Sequence, residues 1–315
     1  MVVFFGSPDF AVPTLHRLIS SPYRPGLVIT QPDRPAGRGK TPVPTAVKKA
    51  AAEQGIPVKT VTSLKGSDIQ DYLGTLDPDF FVVAAFGLIF PREILDMPAK
   101  GCVNLHASLL PAYRGASPVN MAVLNGDMFT GVSTMKMEME LDAGPVYMQR
   151  VVTIQPDETA GSLFERLSEA GAGLTQRTLE KIDRENLQPV PQPEEGVSYA
   201  LLLKKSDGLV DWGRSSLEIY NHIRGMNPWP GSYTYFRGKM IKLHRSEPLD
   251  IIRRETRPGE ILEISGGRLV VSCGTGALNI RRIQAEGKRP LETEEFLRGF
   301  EMKEGQRFTD RRKDK

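Results

Sequence analysis

Cysteine is scarce in this chain. The two present, Cys102 and Cys273, stand far apart among 315 residues, which gives neither a disulfide framework nor a pair at metal-ligand spacing. No metal site is expected. Long apolar runs are missing too, since none approaches the ~18–20 residues a membrane span requires. The apolar start MVVFFGSPDF carries no basic leader and is broken by Pro8 and Asp9, so a secretory signal is not expected and the cytoplasm is the default compartment. Internal repeats and low-complexity tracts are lacking as well. The first apolar run ends in FFGSPDFA, with one glycine where a dinucleotide-binding turn needs G-x-G-x-x-G, which argues against nicotinamide and flavin cofactors. GRGKT at 37–41 has Arg34 where a phosphate loop needs glycine, so a nucleotide-triphosphate site fails as well.

What is present is a chain too long for one core, since single cores stop growing near ~250 residues and two domains then become the expectation. Charged residues at 25% and hydrophobic ones at 40% are ordinary for a soluble globular protein. The net charge of +3 hides an asymmetry: residues 1–200 hold 18 Lys+Arg against 22 Asp+Glu, whereas residues 201–315 hold 23 against 16, balances of −4 and +7. A basic C-terminal part makes a phosphate-rich partner worth testing.

Short runs rich in Val, Ile and Phe recur at 2–5, 27–30, 80–86, 102–105 and 132–137, and between them residues 10–20, 43–54, 66–75 and 117–125 show helical spacing. Continuous apolar strands of this kind are buried on both faces of a parallel sheet. An α/β fold with a Rossmann-like open, mostly parallel sheet is expected, with ligands beyond the carboxyl ends of its strands. A long helix is predicted over 159–184. NLQPVPQPEEG at 186–196, with three prolines in eleven residues, reads as a linker. Beyond it lie a helix near 215–225 and the strand candidates SYTYF, KMIKLH, GEILEI, GRLVVSC and ALNIRRI, separated by Gly-rich turns, which suggest a small OB-like β-barrel. The domains are thus placed at 1–186 and 205–315, joined by 187–204.

Three stretches carry chemistry. In NLHASLLPAYRG (104–115), Asn104 and His106 are two apart on a strand and share a face, so both can point into one site at the strand's end. Asp142, in the turn LDAGP, is either a turn aspartate bonding its own backbone or the third member of that site. If it faces His106, the set is an oxyanion donor, an acid/base imidazole and a carboxylate without an activated Ser or Cys, which suits direct transfer of an acyl-like group to an amine. QPDRPAGRGKTPVP (31–44) is too polar for core and reads as an exposed loop whose Arg34, Arg38 and Lys40 either remain solvated or grip a phosphate backbone. His222 and His244 receive no role.

NLHASLLPAYRG followed by LDAG resembles the folate-dependent formyltransferases. VVAAFGLIFP (82–91) is similar to that family's folate-contacting strand and loop. QPDRPAGRGK is similar to the RNA-binding insertion of those members that act on tRNA, as are KSDGLVDW, IYNHIRGMNPWPGSYTYFRGK and EFLRGFEMKEG to their C-terminal signatures. ELDAGPV departs from the family's more usual Gly-Leu-Asp-Thr-Gly but keeps the aspartate and glycine. The resemblance implies formyl transfer from 10-formyltetrahydrofolate to the α-amine of initiator methionyl-tRNA. Asn104, His106 and Asp142 would be catalytic; Phe86, Gly87, Leu88, Ser108, Leu109, Leu110 and Pro111 would hold folate; and Arg34, Arg38 and Lys40 would contact tRNA. A monomer is expected. The rivals are a formyltransferase for a sugar or other small amine, a hydrolase releasing formate, and a non-catalytic RNA-binding homologue.

Overall fold

The structure, a computed structural model, describes residues 1–36, 41–250 and 256–310. They divide into two compact units, and the division is not a single cut. The first unit holds Met1–Pro118, Phe129–Thr153 and Phe164–Ala200; the second holds Val119–Met128, Ile154–Leu163 and Leu201–Lys315.

Strands of the first unit are β1 (Val2–Gly6), β2 (Pro25–Thr30), β3 (Arg34–Ala36), β4 (Thr41–Val43), β5 (Val58–Thr60), β6 (Phe80–Ala84), β7 (Cys102–His106), β8 (Arg114–Gly115), β9 (Phe129–Lys136), β10 (Val146–Thr153) and β11 (Tyr199–Ala200). Seven of these described strands form one sheet in the order β10-β9-β7-β6-β1-β2-β5. Pairing is parallel from β5 across to β7. Every residue of β1 and β6 is buried, as expected for runs covered on both faces. Crossover helices α1 (Val12–Ile19), α2 (Ala46–Glu53), α3 (Ser67–Gly74) and α4 (Arg92–Leu95) supply the cover, α1 packing with α2 and α3 with α4. One side of the sheet builds a core from Val3, Phe5, Ile29, Phe81 and Val83, in which Phe5 meets Phe81, Phe86 and Phe90 edge-on.

The far side of the sheet is mixed: β9 runs antiparallel to β7, and β10 antiparallel to β9. A return as short as 137–145 can join only antiparallel neighbours. β10 escaped the sequence reading because it lies at the sheet edge with intermediate and exposed residues and no buried stripe. The stretch expected as a loop at 31–44 begins and ends in a ribbon, with β3 paired antiparallel to β4 and Pro35 opposite Pro42. Prolines fit only at a pair that exchanges no N–H bonds.

Helices α5 (Pro118–Leu124) and α6 (Ala160–Glu185) run across the division, and α7 (Ser216–Gly225) opens the C-terminal part behind a reciprocal Ser215–Glu218 cap. Then come β12 (Ser232–Phe236), β13 (Lys239–Leu249), β14 (Ile261–Ser265), β15 (Arg268–Ser272), β16 (Ala277–Ala285), β17 (Leu291–Glu292) and α8 (Thr293–Gly299). They form an antiparallel sheet ordered β12-β13-β16-β15-β14, with β17 on β16. Bridges from Thr309 to Tyr235 and from Arg307 to Glu260 tie both ends of this order to one C-terminal segment, the barrel-like closure expected of these strands. Phe308, 0% exposed, stacks on Trp212 at 5.6 Å and meets Phe236 at 5.3 Å. Among the described residues no helix is long and apolar enough to cross a membrane.

Candidate active site

The chain enters the sheet at β1, builds outward to β5, then returns to place β6 on the other side of β1. Such a reversal leaves a crevice beyond the carboxyl ends of the strands, where open α/β sheets bind ligands. β7 lies beside β6 and ends at His106, so the period-two argument puts Asn104 and His106 on the same face, at this edge.

The imidazole of His106, 7% exposed, is gripped from two sides. Nε2 lies 2.9 Å from the carbonyl oxygen of Tyr113. A carbonyl only accepts, so Nε2 carries a hydrogen and Nδ1 is the nitrogen left for chemistry. Nδ1 is 3.6 Å from Asp142 Oδ2, too long for a hydrogen bond but close enough for the carboxylate to balance an imidazolium. The carboxylate is itself fixed, since Oδ2 accepts the Gly115 N–H at 2.8 Å. Asp142 is therefore more than a turn residue. It sits at φ +51, a conformation in which aspartate is among the better tolerated side chains. The Asn104 side chain is partly exposed and makes no hydrogen bond among the described residues, leaving its N–H groups for a ligand.

Tyr-Arg-Gly, the end of the segment that began with Asn104, therefore has three separate tasks. Tyr113 turns its carbonyl toward the histidine from φ +59. Gly115 gives its N–H to the aspartate, and a Cβ there would lie 2.7 Å from the Ala200 carbonyl oxygen, so only glycine fits. Arg114, its side chain 9% exposed, donates through Nε and Nη2 to Gln192 Oε1 at 3.1 and 2.9 Å. Gln192 Nε2 in turn donates to the carbonyls of Asp142 at 2.8 Å and Gly144 at 2.7 Å. Sequence reading missed Gln192 because it sits among the prolines of the expected linker. That stretch is docked on the first unit: Val190 bridges Val146, and β11 pairs with β8. Proline denies it regular structure but leaves its carbonyls and side chains free to bond.

The turn after His106 is held by a second polar group. Ser108 Oγ donates to the Ala112 carbonyl at 2.6 Å, so this hydroxyl is a strut and not a poised nucleophile. Ser133 Oγ donates to the Ser108 carbonyl at 2.6 Å and accepts from the Leu110 N–H at 3.1 Å, while Gln149 Nε2 reaches the Leu110 carbonyl at 2.8 Å. Leu109 packs against Gly131, and Leu110–Pro111 is cis. Of the other residues expected at folate, Gly87 is exposed with φ +78, Leu88 is half-buried and Phe86 is 2% exposed. The Phe86 ring lies in the aromatic core and its carbonyl accepts from Gln31 Nε2 at 2.6 Å, so the structure spends Phe86 on packing. Arg34 is exposed on β3 and donates to Gln31; Arg38 and Lys40 lie outside the described residues. Among the described residues no three of His, Cys, Asp and Glu gather as ligands for a metal ion.

A Rossmann-like sheet followed by an antiparallel C-terminal sheet is the architecture of a group-transfer enzyme, and the chain belongs to the formyl transferase family. Residues 1–179 match the formyl transferase domain and residues 202–301 its C-terminal domain. The chain is 44% identical over 98% of its length to the methionyl-tRNA formyltransferase of Geobacter sulfurreducens, covering 96% of that protein. To the methionyl-tRNA formyltransferase of Moorella thermoacetica it is 44% identical over 97% of its length, covering 98% of it. Its fold is shared with an N-formyltransferase from Helicobacter canadensis solved in complex with folinic acid and dTDP-3-aminofucose, with a TM-score of 0.64 at 19% identity over 89% of this chain and 97% of that one.

Proposed function

We propose that the chain transfers the formyl group of 10-formyltetrahydrofolate to the α-amino group of initiator methionyl-tRNA, giving N-formylmethionyl-tRNA and tetrahydrofolate for translation initiation. The observation that carries the chemistry is the Asp142 carboxylate, pinned by the Gly115 N–H at 2.8 Å and set 3.6 Å from His106 Nδ1. Relatives named for this reaction, matched through both domains, support the choice of substrate.

In this reading the neutral amine attacks the formyl carbon, and the oxyanion that develops takes hydrogen bonds from the Asn104 amide and the Nδ1–H of protonated His106. Asp142 balances the imidazolium and helps pass the proton from the attacking nitrogen to N10 of the departing folate. Positioning and preorganised donors supply the acceleration, with no enzyme-bound acyl group. Folate lies against Gly87, Leu88 and the turn Ser108–Pro111, with Phe86 shaping the slot from within the core. Residues 1–186 catalyse, 187–204 connect while Gln192 within them holds the Asp142 loop, and 205–315 hold the tRNA, assisted by Arg34 together with Arg38 and Lys40. In this reading the protein works as a monomer, and it acts on its tRNA substrate in the cytoplasm.

A formylation assay with 10-formyltetrahydrofolate and initiator or elongator methionyl-tRNA side by side tests the reading. Formyl-methionine on the initiator species is expected. Transfer to a sugar amine without RNA, formate release alone, or tRNA binding without turnover would each replace it with one of the rival activities.

A further inference from the structure

A cavity of about 290 Å³ in the second unit, lined by α7, β13, β16 and residues Asp157 and Thr159, takes no part in the chemistry above. Its size is at the low end of small-ligand sites. Arg245 and Arg282 face each other directly across the β13–β16 pair, an arrangement that like charges disfavour. Arg245 is drawn toward Glu292 at 2.8 Å, whereas Arg282 has neither an ion pair nor a hydrogen bond among the described residues.

A third guanidinium, that of Arg224, is held ready by Asn221 Oδ1 at 3.0 and 2.8 Å and lies 5.1 Å from the Tyr220 ring centroid. The strand register shifts on both sides of Arg245, the kind of bulge that re-aims side chains. Next to it Ser246, 3% exposed, is among the lining residues, and its buried hydroxyl has no partner among the described residues. Burial pushes the neighbouring His244 imidazole below its ordinary pKa, a hydrogen bond to Gln284 pulls it up, and the positive field of Arg282 and Lys242 lowers it again. Asp157, the acid among the described lining residues, already accepts the Tyr220 hydroxyl at 2.6 Å. A surplus of cations, two of them held by partners, beside an unsatisfied buried hydroxyl is complementary to an oxyanion with several acceptor atoms.

We propose that this cavity is a phosphate site, in which Arg224, Arg245, Arg282 and the Ser246 hydroxyl receive either a backbone phosphate of the RNA substrate or the phosphate of a free small molecule. The first source rests on the proposed action on tRNA; the second does not.

The test uses the full chain and the variants R282Q and S246A, with R281Q as control, because Arg281 is not among the residues lining the cavity and pairs with Glu247 at 3.6 Å. Inorganic phosphate is titrated while arginine Nε–H resonances are followed, and tRNA affinity is measured across salt concentrations in the same samples. R282Q should weaken phosphate binding about tenfold or more, S246A should weaken it several-fold, and R281Q should leave it within about twofold. If RNA is the source, R282Q also lowers the slope of log affinity against log salt by about one, since one phosphate contact is lost. An unchanged slope with phosphate binding lost assigns the site to a small phosphate compound. Phosphate binding equal in the full chain, R282Q and S246A overturns the proposal, as does no phosphate binding to the full chain together with an unchanged salt slope in R282Q. Arg282 is exposed, so its replacement leaves the core intact. A wild-type chain that fails to formylate methionyl-tRNA defeats the proposed function while leaving the phosphate titration to decide this site.

Discussion

Replacing Gln192 by Ala is the sharpest test of how the candidate site is held. One side chain makes four hydrogen bonds there, accepting from Arg114 Nε and Nη2 and donating to the Asp142 and Gly144 carbonyls. Truncation strips two carbonyls and a largely buried guanidinium of their partner; Glu140, 3.9 Å from Arg114 and itself exposed, compensates little. Each unsatisfied buried group costs ~1–3 kcal/mol, so relaxation of the loop leaves a net loss of about 3 kcal/mol and moves the Asp142 carboxylate. A displacement of ~1 Å in a catalytic group lowers turnover ~10²-fold, and a fall of about 10–100-fold is expected. Because Gln192 touches no substrate in this reading, kcat should fall while KM for folate and tRNA stays near wild type. Gln192→Glu sharpens the test: its carboxylate still pairs with Arg114 but has no hydrogens for the two carbonyls, so urea stability should recover further than turnover does. Single-turnover formylation of methionyl-tRNA and urea unfolding of both variants provide the readouts. A Gln192→Ala enzyme within threefold of wild-type turnover would refute the claim that the proline-rich segment positions Asp142.

Asn104→Ala should lower formyl transfer on the order of 10²–10³-fold, the usual consequence of removing one preorganised oxyanion donor; steady-state turnover within threefold of wild type removes Asn104 from the mechanism. Phe308→Ala empties a fully buried aromatic position against Trp212 and Phe236 and should destabilise the chain by ~3–5 kcal/mol in chemical denaturation, and a loss below ~1 kcal/mol contradicts the packing described. Asp183 has its pKa held below the ordinary carboxylate value, chiefly by its hydrogen bond from Lys100, and Tyr23 donates to the same carboxylate at 3.2 Å. The depressed value means that the stability it contributes is present above the ordinary carboxylate pKa and is lost as pH falls through the folded-state value. The gap in urea midpoint between wild type and Asp183→Asn should therefore be small but measurable at neutral pH, as befits a surface pair, and should close in acid; a gap that widens in acid would reverse the assignment.

Much of this molecule can be read from one dimension. Continuous apolar runs announce β1, β2, β6 and β7, because strands covered on both faces tolerate little else. The two-residue spacing of Asn104 and His106 guarantees a common face once the strand is granted. Short strand candidates separated by Gly-rich turns after residue 230 foretell a small C-terminal β domain, and the charge imbalance shows which half is basic. Each of these is a local property, fixed by backbone periodicity or by composition.

Tertiary structure decided the rest. That Asp142 meets His106 depends on the Gly115 N–H, that the imidazole presents Nδ1 depends on the Tyr113 carbonyl, and Gln192 acts on an arginine 78 residues away. The Phe86 ring belongs to the core, and residues 119–128 and 154–163 belong to the second unit, because packing and not chain order determines which surfaces are buried together. Arg245 and Arg282 become neighbours only through the register of two paired strands. Side-chain periodicity is written into a few consecutive residues, whereas the meeting of distant groups follows from closing the whole chain around its cores.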